Sequence, residues 1–508
     1  MALVATVTST GLCVNYNELY VRFGSKKFDN LLRVLTIVNS PAYGIKQKIT
    51  SYRIVKNEIY FPWIMSTLLL KAHAIDVVVG LNFSIRRLNS DSCVVKSLYN
   101  YQAALVDVLC NNHLNLDKMQ NYQARAYLKL DTGLGKTRIG CAIVARLQVP
   151  TIVVVPTKHI RNQWMEEFAI TCPNMKCSIY TNLWKNQEPT PDNTDVVIII
   201  INTAYSKPAS FFTKYGLTIY DEAHELYSPE RSKVLWNIQT PYILGLSATP
   251  LERKDNMDKL IPMHLGRPLD AVQLIKGEAS RQLCNINWLG HVQEVHYAGH
   301  PDYLTVVTLP NGCMHAISTI GNIIQDPSRL RMIAIEVKKI YFLHETESWN
   351  VPGKRHGIFV FAEHRNYISQ IRDAIVEHFQ KIGRLGEIAL SVPELESNIS
   401  ILRGGVTLKE LEMANKNLIV LTTYGYSRRG VSLVDMTSII MATPRRNGMR
   451  QLLGRITRRG SDERIIRYVV DIVDIDTPFI SQSKDRRKIY NEKNWIVHQV
   501  NVNHSDFK

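Results

Sequence analysis

Two short segments hold residue types and spacings suited to phosphate chemistry. Residues 130–137 read LDTGLGKT. Gly133 and Gly135 let the backbone turn tightly enough for its N–H groups to face phosphate oxygens. Lys136 brings a point charge toward the β- and γ-phosphates, and the Thr137 hydroxyl suits Mg²⁺. With Thr132 and Leu134 completing the turn, Thr132–Thr137 is the expected ATP-binding loop. Residues 218–225 read TIYDEAHE, which places Asp221 85 residues beyond Lys136. Asp221 offers Mg²⁺ a hard oxygen, through water, and Glu222 is placed to orient and deprotonate an attacking water. An acidic helix start is the plainer reading of DEAH, but it does not account for the apolar strand before it or the phosphate loop upstream. His224 is expected to couple this phosphate site to the interface between lobes.

Two further segments extend the set. GLSATP places Ser247, Ala248 and Thr249 after an apolar run, where Ser247 and Thr249 can relay the state of the DEAH turn. QLLGRITRRG, Gln451–Gly460, sets Arg455 and Arg458 three apart. On one helix both face the same way, and such guanidiniums can cross a cleft and neutralise γ-phosphate charge. Gln451, Arg455 and Arg458 therefore join Lys136, Asp221 and Glu222 as expected catalytic residues.

Elements must hold these residues in place. YLKL before Asp131, TIVVV before Pro156, VVIIII ending at Ile201, LTIY before Asp221 and YILGL before Ser247 are short runs, apolar on both faces. They predict buried parallel strands, with helices such as 161–170 between them. The pattern recurs in GIFVF to Phe361, LIVLTT to Thr423, SIIMA to Ala442 and RYVVDIV to Val473. The fold class is thus α/β, with two tandem RecA-like lobes of parallel sheet covered by helices on both faces. HVQEVHY, 291–297, alternates like the first strand of the second lobe. RIVKNEIYFP, Arg53–Pro62, reads as a strand or hairpin in a small N-terminal α/β accessory domain. The expected bounds are 1–95 for that domain, 96–270 and 271–480 for the lobes, and 481–508 for a basic, solvated tail that includes Lys484, Arg486, Arg487 and Lys488.

The 508 residues exceed one core, so several domains are expected. A net charge of +16 favours a polyanionic partner, nucleic acid before membrane. The eight cysteines show no zinc spacing and read as free thiols of a reducing compartment. The most apolar stretch, 61–81, is broken by Lys71 and Asp76, and the N-terminus has no basic start of a secretion signal. A soluble protein is expected.

In their order (phosphate loop, PT, DEAH, SAT, Q-x-x-G-R-x-x-R) these segments resemble superfamily 2 helicases over about 98–474. INTAYSKP, YDEAHELYSPE, LGLSATPLERKD, LTTYGYSRRGVSL, SIIMATPRRN and QLLGRITRRGSDE together are similar to helicases of large cytoplasmic DNA viruses: that of African swine fever virus and, more distantly, the transcript-release and termination helicases of poxviruses. The resemblance puts Gln102, in SLYNYQAAL, near the adenine. It makes Val153–Phe168 part of the grip on a nucleic-acid strand, with Thr157, Lys158, Arg161 and Thr203 as first-lobe contacts. Thr422, Thr423, Arg428 and Arg429 are the second-lobe contacts, with Arg445 and Arg446 as weaker candidates. Gly430 is a coupling residue. The sequence departs from many relatives here, because Val431 and Ser432 follow Gly430 where Gly-x-Asp is common.

The activity implied is a nucleic-acid-dependent ATPase and helicase, using ATP and Mg²⁺ to move along single-stranded nucleic acid, 3′ to 5′ on DNA. Its implied setting is viral transcription, in transcript release, elongation or termination. The expected partners are single-stranded or duplex DNA, RNA, and viral RNA polymerase or transcription factors. No membrane is involved and a monomer is expected, in the virus factory of the host cytoplasm and packaged in the virion. Two alternatives stay open: an RNA helicase acting on viral messenger RNA, and a transcription scaffold with a vestigial ATPase.

Overall fold

The computed structural model describes residues 3–8, 11–39, 47–65, 76–79, 85–120, 124–181, 188–226, 230–238, 240–250, 257–284, 288–343, 356–384, 392–403, 408–427, 433, 435–446, 448–458 and 462–507. The chain forms two compact units, Met1–Asp131 with Gly135–Asn285, and Ile286–Lys508 with Thr132–Leu134.

The first unit is built on a seven-stranded sheet whose pairs are all parallel. Its order is Cys177–Ile179, Val196–Ile200, Thr151–Val155, Leu217–Tyr220, Tyr242–Ser247, Arg125–Lys129, Leu269–Asp270. The central strands carry β-branched residues that are buried on both faces, as in Ile152–Val155 and Val196–Ile199. Each fully buried Val or Ile contributes about 1.5–3 kcal/mol. Arg125–Lys129 and Thr151–Val155 are consecutive in the chain up to the helix Lys136–Leu147, yet two strands separate them in the sheet. This change of direction falls at the kind of switch point beside which α/β folds place their ligands, at the carboxyl ends of the strands.

The N-terminal portion has its own mostly antiparallel sheet, ordered Arg53–Val55, Glu58–Phe61, Gly11–Asn15, Val4–Thr8, Asp76–Val79. The hairpin expected at 53–62 is present, turning through Lys56 at φ 55°. Its core of Leu12, Phe28, Phe61 and Trp63 adjoins the first lobe: Ile37 packs in the first-lobe core, and the Arg125 guanidinium lies 5.4 Å over the Trp63 ring.

The second unit repeats the design with another all-parallel sheet of seven strands. Their order is Ile399–Leu402, Ile419–Thr423, Gly357–Ala362, Met436–Met441, Arg467–Asp474, Gly290–Ala298, Ile496–Asn503. The molecule is therefore two tandem RecA-like lobes plus a small N-terminal sheet.

Two expected boundaries are corrected. The first unit runs on to Asn285, because Leu269–Asp270 pairs with the phosphate-loop strand and the helix Gly277–Cys284 packs on Asn100–Asn112. The described part of the expected tail, residues 481–507, is not solvated chain. Its residues form the helix Ile480–Glu492 and the edge strand Ile496–Asn503, which pairs with Gly290–Ala298. Arg486 is buried and donates from Nε to Asp471 Oδ2 at 2.8 Å, and Arg487 clamps the fully buried Glu294. These arginines read as solvated because their acidic partners lie 15 and 193 residues away in the chain.

Candidate nucleotide and nucleic-acid sites

Parallel pairing brings the expected first-lobe residues to one edge of the sheet. Lys136 follows the strand Arg125–Lys129, Thr157 follows Thr151–Val155, Asp221 follows Leu217–Tyr220, and Ser247 ends Tyr242–Ser247. The strand ends are tied together by backbone bonds. Leu130 N–H donates to Ser247 O at 3.1 Å and Asp221 N–H to Val154 O at 3.0 Å.

The phosphate loop turns through left-handed backbone at Gly133 (φ 87°) and Gly135 (φ 81°), and Gly135 caps the helix Lys136–Leu147. A Cβ on Gly135 would sit 2.3 Å from Gln102 Nε2, so the Gln102 amide closes over the turn. Gln102 is held from its own helix, its Oε1 accepting the Tyr99 N–H at 3.1 Å. Lys136 is almost fully buried and donates to Leu130 O at 3.1 Å and Asp131 O at 3.4 Å. Thr137 occupies the second position of the helix, half-buried.

The Asp221 carboxylate accepts two N–H groups, from Glu222 backbone at 2.9 Å on Oδ1 and from the Trp164 indole at 2.7 Å on Oδ2. Burial, followed by the charge of Glu222, pushes its pKa up to about 6, against the pull of the Trp164 hydrogen bond and of Lys136. Glu222 has left-handed backbone, φ 47°, a conformation that disfavours a side chain and marks a constrained turn. Its Oε2 is buried and lies 3.3 Å from His224 Nδ1, without hydrogen-bond geometry. His224 Nδ1 also lies 3.0 Å from Ser247 Oγ, which accepts the Thr249 N–H at 3.1 Å.

Trp164 is the residue that the sequence reading missed. It sits fully buried on the helix Lys158–Thr171, which begins at the PTK segment. A buried indole N–H requires an acceptor, and that requirement is the signal available in sequence.

The expected nucleic-acid contacts divide. Lys158 is exposed, and Arg161 and Thr203 are half-buried. Burial lowers the Arg161 pKa. Thr157 caps its helix by accepting the Ile160 N–H at 3.3 Å. Thr422 is corrected: it is 2% exposed and donates to Leu402 O at 2.8 Å, which leaves no hydroxyl facing outward. Thr423, at the end of the same strand, accepts the Tyr426 N–H at 3.2 Å. Arg445 is engaged internally by Glu363 at 3.0 Å and lies over the Tyr424 ring, and Arg446 is 3.5 Å from Asp485. Arg428, Arg429 and Gly430 lie outside the described residues.

Gln451 lies on the helix Met449–Leu453, which ends before the arginines. The shared helix expected for Arg455 and Arg458 is therefore corrected. Gly454 and Arg455 follow in a tight turn, with Arg455 N–H donating to Leu452 O at 3.0 Å, and Arg458 lies beyond it.

Among the described residues no helix is long and apolar enough to cross a membrane, and no cluster of three or more His, Cys, Asp or Glu is placed to hold a metal.

The family described as the type III restriction enzyme res subunit matches residues 96–252. A protein of African swine fever virus (isolate Warthog/Namibia/Wart80/1980), bearing the name of an ATP-dependent RNA helicase, is 38% identical over 516 residues, covering 98% of this chain and 93% of its own. A protein of Acanthamoeba polyphaga mimivirus with the same kind of name is 23% identical over 385 residues, 74% of this chain and 66% of its own. A fragment of a type I restriction enzyme HsdR subunit from Vibrio vulnificus is similar in fold. Its TM-score is 0.50 at 15% identity, covering 82% of this chain and 71% of the fragment.

Proposed function

This chain belongs to the family of viral superfamily 2 ATP-dependent helicases that includes the African swine fever virus protein, and from that premise we propose that it is a translocase that hydrolyses ATP with Mg²⁺ to move along single-stranded nucleic acid during viral transcription. The observation that carries the reading is the shared sheet edge, on which Lys136, Asp221, Glu222 and Ser247 stand at the ends of neighbouring strands.

The residues suit Mg·ATP on chemical grounds. Hard oxygens stand at Thr137 and Asp221, a buried lysine ends the phosphate loop, and the buried Glu222 Oε2 has acceptor capacity for a water. The ion, when bound, offsets negative charge on the β- and γ-oxygens. The loop from Gly133 to Thr137 cradles phosphate with backbone N–H groups, and Lys136 exchanges its carbonyl partners for phosphate oxygens. Glu222 orients the attacking water and takes its proton. Arg455 and Arg458 supply the positive charge that the transition state needs. His224, Ser247 and Thr249 relay the state of Glu222 to the segment after Thr249.

Lys158, Arg161 and Thr203 are the proposed first-lobe phosphate contacts, with Arg428 and Arg429 in the second unit. Contacts of that kind grip the backbone without reading sequence. The direction proposed is 3′ to 5′ on DNA, and the setting is transcript release or termination in the host cytoplasm. The names of the two viral relatives favour a second reading, RNA as the track.

Glu222→Gln and Lys136→Ala should abolish nucleic-acid-stimulated ATP hydrolysis, by about 10²-fold or more, while strand binding persists. Full ATPase activity in Glu222→Gln would sink the assignment. Strand displacement on 3′- and 5′-tailed DNA and hybrid duplexes decides track and polarity.

A further inference from the structure

The helix Lys158–Thr171 carries Lys158 and Arg161 near its start. Trp164 lies one turn further on. Its indole is fully buried and donates to Asp221 Oδ2 at 2.7 Å. The same ring presses on the phosphate-loop helix: a Cβ on Gly140 would come within 2.5 Å of it, so only glycine lets the indole lie there. A second tie joins the two helices, since Arg138 Nε donates to Glu167 Oε1 at 2.7 Å. One helix thus touches both halves of the nucleotide site, and its first turn is the proposed strand grip.

We propose that Trp164 is the positioning residue for the metal-side carboxylate, its indole N–H fixing Asp221 and passing movement of the helix Lys158–Thr171 to the nucleotide site when a strand binds. The strand-sensing half rests on the nucleic-acid role proposed above; the carboxylate half does not. Groups that orient a metal ligand through its remaining oxygen commonly change metal affinity by about 10–100-fold when removed. A helix shift of a few tenths of an ångström is enough to lengthen a 2.7 Å bond out of its optimum.

The test uses the full chain and Trp164→Phe, which keeps an aromatic ring and removes the N–H. Gly140→Ala, which displaces the ring, is the second variant and serves if the first fails to fold. Mn²⁺ binding in the presence of ADP, read by electron paramagnetic resonance, should weaken about tenfold in either folded variant. The ratio of ATPase rates with and without single-stranded nucleic acid should collapse toward one, while strand affinity by fluorescence anisotropy stays at the wild-type value. A folded variant with wild-type Mn²⁺ affinity overturns the positioning role. Weakened Mn²⁺ binding with an unchanged stimulation ratio overturns the coupling. If no nucleic acid stimulates the wild-type ATPase, the proposed function fails, and the Mn²⁺ measurement still decides the role of Trp164.

Discussion

His224 Nδ1 and Ser247 Oγ stand 3.0 Å apart, joining the DEAH turn to the end of the neighbouring strand. Ser247 also accepts the Thr249 N–H at 3.1 Å, so one hydroxyl holds a side chain and a backbone group from two segments. Each such bond contributes about 1 kcal/mol. Their value lies in placement: in the relay proposed above, a change at Glu222 is passed through His224 to Ser247 and Thr249.

Ser247→Ala therefore separates hydrolysis from motion. Loss of one neutral hydrogen bond should lower ATP turnover by no more than about fivefold. Strand displacement should fall far more. Parallel ATPase and unwinding assays check this, and equal losses in both would contradict the relay.

The raised pKa of Asp221 gives a sign for pH dependence. Its folded value, about 6, lies above the ordinary aspartate value of 3.8 because burial disfavours the charge. The folded state therefore holds more protons than the unfolded chain between those values. Metal-free stability should fall as pH rises through that window and level off above it. Hydrolysis needs the ionised form and should drop as pH falls through about 6 at limiting Mg²⁺. Excess Mg²⁺, which binds the carboxylate, should move that limb to lower pH. Rate profiles at two Mg²⁺ concentrations test the shift.

Arg458→Ala and Arg455→Ala should each lower stimulated hydrolysis by about a thousandfold, the scale of a guanidinium that neutralises transition-state charge. Nucleotide affinity, measured with fluorescent ADP, should change little. A large loss of ADP affinity with an intact rate would assign them to binding instead.

Arg486→Ala should unfold the second unit readily. It removes the partner of the fully buried Asp471, which also accepts the Tyr490 hydroxyl at 2.9 Å. Breaking a buried pair from one side costs about 3–5 kcal/mol. Urea denaturation should show a lower midpoint, and truncation after residue 479 should be worse. A truncated chain of unchanged stability would return these residues to the status of a loose tail.

Strand binding by the whole chain should weaken as salt rises, about one power of salt for each phosphate neutralised. Substituting Lys158 by Ala should reduce that slope by about one in anisotropy titrations at several ionic strengths.

The sequence by itself determined the phosphate-loop turn, the carboxylate pair at a strand end, the Ser247–Thr249 segment at the end of its neighbour, and the repeat of two parallel sheets. Those features are local: a glycine turn, an acidic strand end or a β-branched run carries its signal within ten residues. In the two seven-stranded sheets four strands were not legible, Cys177–Ile179, Leu269–Asp270, Ile399–Leu402 and Ile496–Asn503, because edge strands are short or polar and acquire their conformation from a neighbour. Tertiary structure alone decided the rest. Arg486 and Arg487 became internal once folding brought Asp471 and Glu294 to them. Thr422 turned inward because its hydroxyl met the carbonyl of Leu402 on the next strand. Trp164 reached Asp221 across 57 residues of chain, a pairing that no spacing encodes and that only the approach of the helix Lys158–Thr171 to Gly140 allows.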